Sequence, residues 1–141
     1  MNVDVERLVT AGELAEAARV LGRPFEVEGV VVEGDRRGKL LGFPTANLEV
    51  ARGQLLPPRG IYAGAALGHR AAISIGVNPH FGGTALRVEA YLLDFDGNLY
   101  GRRLVLELWQ RLRDERAFAS EQELIEAIAA DVEATRRAVR P

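Results

Sequence analysis

The spacing of apolar positions changes several times along the chain, and the changes divide it into elements. Between about residues 10 and 21, Leu14, Ala18 and Leu21 recur on one helical face. Thr10 and Glu13 read as a capping box at the start of this segment, and Gly22 is placed to end it. After Arg23-Pro24 the helical period gives way to a valine-rich run, residues 25–34, which predicts a largely buried strand. Residues 34–47 form a loop by composition, as does the Pro-Pro-Arg-Gly stretch ending at Gly60. Residues 61–67 and 70–77 predict a hairpin around Gly68-His69, and Asn78-Pro79-His80-Phe81-Gly82-Gly83 a turn-rich connection. Residues 86–95 read as a strand, Asp96-Gly97-Asn98 as a hairpin turn, and 103–112 as the returning strand. In that last strand Leu104, Leu106 and Leu108 alternate with Val105, Glu107 and Trp109, a period of two. A second capping box, Ser120 with Glu123, opens a closing helix whose stripe is Leu124, Ile128, Val132 and Val139.

Five or six strands separated by turn signals, framed by a helix at each end, predict a small, mostly β, antiparallel barrel. No repeat, low-complexity stretch or internal linker interrupts it, and 141 residues suit a single core.

Composition narrows the chemistry. The formal net charge is −2, which argues against general binding to nucleic acid or to an anionic membrane. Local basic clusters can still meet a small polyanion. With no cysteine, thiolate catalysis, disulfides and Cys-based metal sites are excluded, and a reducing cytoplasm is the expected location. No segment approaches the roughly 18 apolar residues of a membrane span.

The densest concentration of chemistry is Gly34-Asp-Arg-Arg-Gly38-Lys-Leu-Leu-Gly42-Phe-Pro-Thr45-Ala-Asn47-Leu. It gathers three glycines, three cations, a hydroxyl and an amide. Glycines let backbone N–H groups approach an anion closely, and Arg37 and Lys39 supply neutralising charge. A Walker A loop would need Gly at position 33 and Ser or Thr at 40, where Glu33 and Leu40 stand, and no G-x-G-x-x-G occurs. Thr45 and Asn47, two residues apart after Phe43-Pro44, would aim both side-chain oxygens to one face if extended.

Glu89 lies mid-strand and shares a face with Arg87 and Tyr91. Spacing alone favours an exposed ion pair with Arg87 over a base in a cleft. His69 and His80 lack zinc-site spacing, and neither Ser74 nor Ser120 has a neighbouring His for a hydrolase triad. An aromatic content of 6% does not furnish an RNA-stacking sheet.

Taken in order, these segments resemble the riboflavin kinase (flavokinase) family, including the kinase half of bacterial bifunctional FAD synthetases. The residues that carry the resemblance begin with Leu21-Gly-Arg-Pro-Phe25 and the Gly34-to-Leu48 run with its Gly-Phe-Pro-Thr-Ala-Asn core. Gly60-Ile-Tyr-Ala63, Ile75-Gly76-x-Asn78-Pro79 and Val88-Glu89-Ala-Tyr-Leu-Leu-Asp94-Phe follow. Leu99-Tyr-Gly101 and Leu112-Arg113-x-Glu115-x-x-Phe118 complete it. The resemblance spans about residues 20–138 and divides the chain into an N-terminal helical linker segment, 1–22, and a kinase domain, 23–141.

It implies a six-stranded antiparallel Greek-key β-barrel with a C-terminal helix and a short N-terminal one. It also implies transfer of the ATP γ-phosphoryl group to the 5′-hydroxyl of riboflavin, giving FMN and ADP. Gly34, Arg37, Gly38, Lys39, Gly42, Phe43 and Asn47 would then meet the nucleotide and its phosphates. Thr45 and Asn47 would take the Mg²⁺ edge, Glu89 would be the base, and Arg113, Glu115 and Phe118 would border the flavin. Lys39, Ser74, His80 and Ala119 depart from commoner family residues. A flavin- or nucleotide-binding module without catalysis is the competing expectation. The helix at 10–21 resembles the segment joining the two halves of the bifunctional enzymes, so the chain reads as a fused or excised kinase domain. Neither histidine lies in an H-x-G-H type signature, so FMN but no FAD is the expected product.

Overall fold

The structure is a computed structural model that describes residues 2–33, 44–77 and 86–141. Three helices and six strands are present among them: α1 (Val3–Thr10), α2 (Leu14–Leu21), β1 (Phe25–Val32), β2 (Ala46–Val50), β3 (Gly60–Ala66), β4 (His69–Val77), β5 (Leu86–Leu92), β6 (Arg103–Arg113) and α3 (Glu121–Arg137). The strands close into an antiparallel barrel in the order β1-β2-β5-β4-β3-β6.

The period-two alternation places the core. Val27 and Val31 of β1, Ile73 and Ile75 of β4, Val88 and Ala90 of β5, and Leu104, Leu106 and Leu108 of β6 all point into the barrel. Tyr62 fills part of the interior, and its hydroxyl is satisfied by donating to the Pro58 carbonyl. Gly64 makes close packing of two strands possible, since a Cβ there would strike the Glu107 backbone of β6. Val105, Glu107 and Trp109 take the outer face, as the alternation predicts. Trp109 is nonetheless buried there, in a second cluster with Ala63 and Ala138.

Four local expectations are corrected. The N-terminal helix is two helices. Thr10 ends α1, α2 is preceded by Glu13 without a side-chain cap, and the Thr10–Glu13 capping box does not form. Val5 and Val9 of α1 and Leu14 and Ala17 of α2 belong to the main core, so this segment packs on the barrel. The β3–β4 turn is centred on Leu67-Gly68, both with positive φ (53° and 79°), one residue before the predicted centre. Asp96-Gly97-Asn98 is not a hairpin turn, because β5 pairs with β2 and β4 while β6 pairs with β1 and β3. The segment instead crosses the end of the barrel, which makes the topology a Greek key rather than a meander. Finally, β2 is a strand that the composition of residues 34–47 concealed.

The closing helix starts as predicted, with the Ser120 hydroxyl accepting from Glu123 N–H, but its buried line differs. Ala127, Asp131 and Thr135 are buried, Leu124, Ile128 and Val132 flank them half-buried, and Val139 lies beyond the helix, 80% exposed. The chain after α3 is tied back to β6. Arg140 donates from Nε and Nη2 to the two Glu107 oxygens (2.9 and 3.1 Å), and Trp109 Nε1 donates to Oε1 (2.8 Å).

The Arg140 bonds foremost, with the Trp109 bond, outweigh burial and hold the Glu107 carboxyl below its ordinary range. A carboxyl lowered in the folded state contributes stability at neutral pH and loses it as pH falls through its folded value. Glu107→Gln is therefore expected to lower stability at pH 7 by less than about 1 kcal/mol, since the pair is partly solvated. Thermal melts should show that difference vanishing on acidification well below pH ~4.

Candidate active site

Strand register brings the predicted residues together. Asn47 of β2 is the direct partner of Glu89 on β5, Glu89 of Ser74 on β4, Ser74 of Ile61 on β3, and Ile61 of Arg113 on β6. Directly opposed residues share a face, and neighbouring strands lie about 4.8 Å apart. Asn47, Glu89, Ser74 and Arg113 thus form one transverse row on the outside of the barrel. Val32 of β1 closes the row beyond Asn47.

Glu89 is held by Arg87, with Nε 3.0 Å from Oε1. Its side chain is only 18% exposed. The ion pair expected from spacing therefore exists, but it lies in a half-buried row of polar groups rather than on an open surface. Ser74 is the row member that sequence reasoning set aside. Only the β4–β5 register places its hydroxyl opposite Glu89.

Beside Asn47 the barrel rim opens into a cleft of about 560 Å³. Pro44, Thr45, Ala46 and Asn47 form one side, and Phe95 to Tyr100, the crossover segment, form another. Glu33 also lines it. The cleft therefore has Thr45 and Asn47 on one wall and Phe95, Asp96, Asn98 and Tyr100 on another. Among the described residues, no group of three or more His, Asp or Glu side chains could cage a metal. Thr45 and Asn47 instead offer hard, neutral oxygens, a donor set that suits Mg²⁺ shared with phosphate oxygens and water. Gly34, Arg37, Gly38, Lys39, Gly42 and Phe43 lie outside the described residues, as do Asn78 and His80.

At the other end of the row, the segment after β6 is fastened from three sides. Arg113 closes a two-pronged ion pair on Asp131 of α3, Nε to Oδ1 and Nη2 to Oδ2 both at 2.8 Å. The Arg113 and Arg116 guanidinium groups lie 5.8 and 4.7 Å from the Phe118 ring centre. Glu115 accepts from Arg59 at 3.1 and 3.3 Å. Arg113 and Phe118 thus meet, with Arg113 committed to α3, whereas Glu115 is turned toward Arg59 and Gly76.

Comparison with known proteins agrees with this fold. The flavokinase (riboflavin kinase) family profile matches residues 21–139. The bifunctional riboflavin kinase/FMN adenylyltransferase of Listeria monocytogenes is 37% identical over 142 residues, covering 96% of this chain and 45% of that protein. The chain thus spans less than half the length of this curated relative. A solved structure from Streptococcus pneumoniae, described as a macrolide-efflux protein, superposes with a TM-score of 0.90 at 31% identity. It aligns with 99% of this chain and 47% of its own. In this chain, no helix among the described residues is long and apolar enough to cross a membrane. The riboflavin kinase of Trypanosoma brucei superposes with a TM-score of 0.63 at 28% identity, covering 82% of this chain and 79% of that one. With the profile spanning the whole barrel and the closing helix, the chain belongs to the riboflavin kinase family.

Proposed function

We propose that this chain phosphorylates riboflavin, transferring the γ-phosphoryl group of ATP to the 5′-hydroxyl and releasing FMN and ADP. The observation that carries this reading is the β2–β5 register. It sets Glu89, the row's only carboxylate, directly opposite Asn47, which lines the cleft with Thr45. In the transfer, the bond from the γ-phosphorus to the β,γ-bridging oxygen breaks and a bond to the ribityl 5′-oxygen forms. Glu89 takes the hydroxyl proton. Mg²⁺ would be held by Thr45 and Asn47 with the nucleotide phosphates, and when bound it neutralises charge on the transferring group. The cleft between Thr45 and the crossover segment would receive the nucleotide, and the Arg113–Phe118 cluster would border the flavin. Such a reaction asks mainly for in-line positioning and charge neutralisation, which backbone amides and a few side chains supply.

Incubation with riboflavin, ATP and Mg²⁺ should give FMN by chromatography, chelation of the metal should stop it, and no FAD should form. Tight FMN binding with no phosphoryl transfer would instead establish a binding module. Thr45→Val is expected to raise the Mg²⁺ concentration for half-maximal rate about tenfold, a typical effect of disturbing metal surroundings. The KM for riboflavin should stay unchanged. An unaltered Mg²⁺ dependence would remove Thr45 from the metal edge.

A further inference from the structure

The crossover segment that walls the cleft is held differently at its two ends. At the far end the bonds join backbone to backbone: Gly101 N–H donates to the Val31 carbonyl and Val31 N–H to that of Arg102, both at 2.9 Å. At the near end the chain leaves β5 through the buried Leu93, whose N–H donates to the Arg70 carbonyl at 2.7 Å. The Leu93 carbonyl in turn lies 3.0 Å from Nδ1 of His69. A carbonyl only accepts, so Nδ1 carries the proton in this bond. Asp94 then takes a left-handed conformation (φ 58°), its two oxygens accepting from Arg136 of α3 at 2.9 and 3.0 Å. That reversal sets Phe95 against His69, with ring centres 5.3 Å apart and planes at 82°, an edge-on contact. A Cβ on Gly97 would fall 3.2 Å from Phe95 Cζ, so the segment folds closely over the same ring. Phe95 is itself a wall residue of the cleft. The Asp94–Arg136 fork is open to solvent and holds weakly, whereas His69 and Phe95 are half-buried.

We infer that His69 is a positioning residue for the nucleotide. By donating to the Leu93 carbonyl and packing on Phe95, it fixes the near end of the crossover segment as a wall of the cleft. Backbone bonds to β1 fix the far end whatever the side chains, so the near end is where one side chain decides the width of the cleft. The inference rests on the reading of that cleft as the place of ATP, and it adds a residue on the β3–β4 side of the barrel that lines none of it.

The anchor itself is tested without catalysis, by thermal unfolding of the whole chain carrying His69→Ala and Phe95→Ala, singly and combined. The two should couple by about threefold in the unfolding equilibrium, as edge-on ring pairs do. Phe95→Leu replaces Phe95→Ala in this cycle if the latter does not fold. His69→Phe, which keeps a ring but cannot donate, should speed hydrogen exchange of the Leu93 amide about fivefold. Leu93 then keeps one of its two bonds to the start of β4. Additive unfolding effects or unchanged Leu93 exchange would overturn the inference whether or not the protein makes FMN.

The second measurement is kinetic. His69→Ala should raise the KM for ATP about fivefold, the weight of one such hydrogen bond, while kcat and the KM for riboflavin stay within about twofold. His69→Asn returns an N–H close to the place of Nδ1 and should recover part of the loss. A KM for riboflavin that rises equally, or a KM for ATP that does not move, would reduce His69 to a structural role and overturn the inference. Absence of FMN from the wild-type chain would defeat the kinase reading, and the affinity for ATP with Mg²⁺ by calorimetry then takes the place of KM. The same fivefold weakening in His69→Ala would sustain the positioning role, and equal affinity, or none in either chain, would overturn it.

Discussion

Replacement of Glu89 by Gln is expected to slow FMN formation by about 10²- to 10⁴-fold, the usual contribution of a positioned general base. The substitution keeps the shape of the side chain and its place opposite Asn47 and Ser74, but removes the capacity to accept the ribityl proton. Its effect on stability should be small. The Arg87–Glu89 pair is partly solvated, and pairs of that kind are worth up to about 1 kcal/mol. A variant that melts near the wild-type temperature yet turns over a hundredfold more slowly isolates chemistry from folding. The KM for ATP should hold, because Glu89 is not among the residues lining the cleft beside Thr45 and Asn47. Phosphoryl transfer has little bond formation to the nucleophile at its transition state, so the loss should fall toward the lower end of the range. A rate within tenfold of wild type would mean that the proton leaves by another route and that Glu89 only orients the hydroxyl.

Much of the barrel was legible because it is written in local periods. The leucines at 104, 106 and 108 announce a strand with one buried face, and Ser120 with Glu123 announces a helix start. Both are present. β2 was concealed although Ala46, Leu48 and Val50 alternate with Asn47 and Glu49, because the alternation lasts only five residues and begins inside a stretch whose glycines, proline and polar residues signal a loop. The segment Asp96-Gly97-Asn98 signals that the chain turns, but turn chemistry does not say which strands lie on either side. That choice is made by the register of β5 with β2 and β4, a long-range matter.

The site divides in the same way. Glu89, Thr45 and Asn47 were singled out by residue type and local spacing, helped by the family resemblance. Ser74, Gly76 and Arg59 were not, because their neighbours come from strands or segments distant in sequence. Gly76 shows why. Nothing in Ser-Ile-Gly-Val distinguishes a strand glycine that saves space from one that admits the carboxylate of Glu115, 39 residues away (115 − 76). The spacing argument for an exposed Arg87–Glu89 pair was right about the partner and wrong about the surroundings. Exposure depends on what distant parts of the chain cover, which residue spacing does not carry.

Asp131→Ala is expected to destabilise the chain by about 3 kcal/mol, the cost of stranding one member of a covered ion pair. Asp131 is 8% exposed within α3, and both prongs of Arg113 close on it at 2.8 Å. Removing the carboxylate leaves the Arg113 guanidinium against the helix with little water to replace the lost partner. For a domain of this size the melting temperature should fall by roughly 10 °C. Arg113→Met combined with Asp131→Leu should recover most of the loss, because the charge and its desolvation disappear together. Equal destabilisation by the single and double variants would mean that shape rather than charge pairing fastens α3. The functional consequence follows from where Arg113 stands. It ends the row that contains Glu89 and lies over Phe118, so freeing it should raise the KM for riboflavin more than that for ATP. Phe118 keeps Arg116 as its nearer neighbour, at 4.7 Å, so the cluster should loosen rather than vanish. A KM for ATP that rises equally would place the disturbance in the barrel as a whole. A selective rise for riboflavin would show that α3 supports catalysis by holding one residue of the flavin border in line with the base.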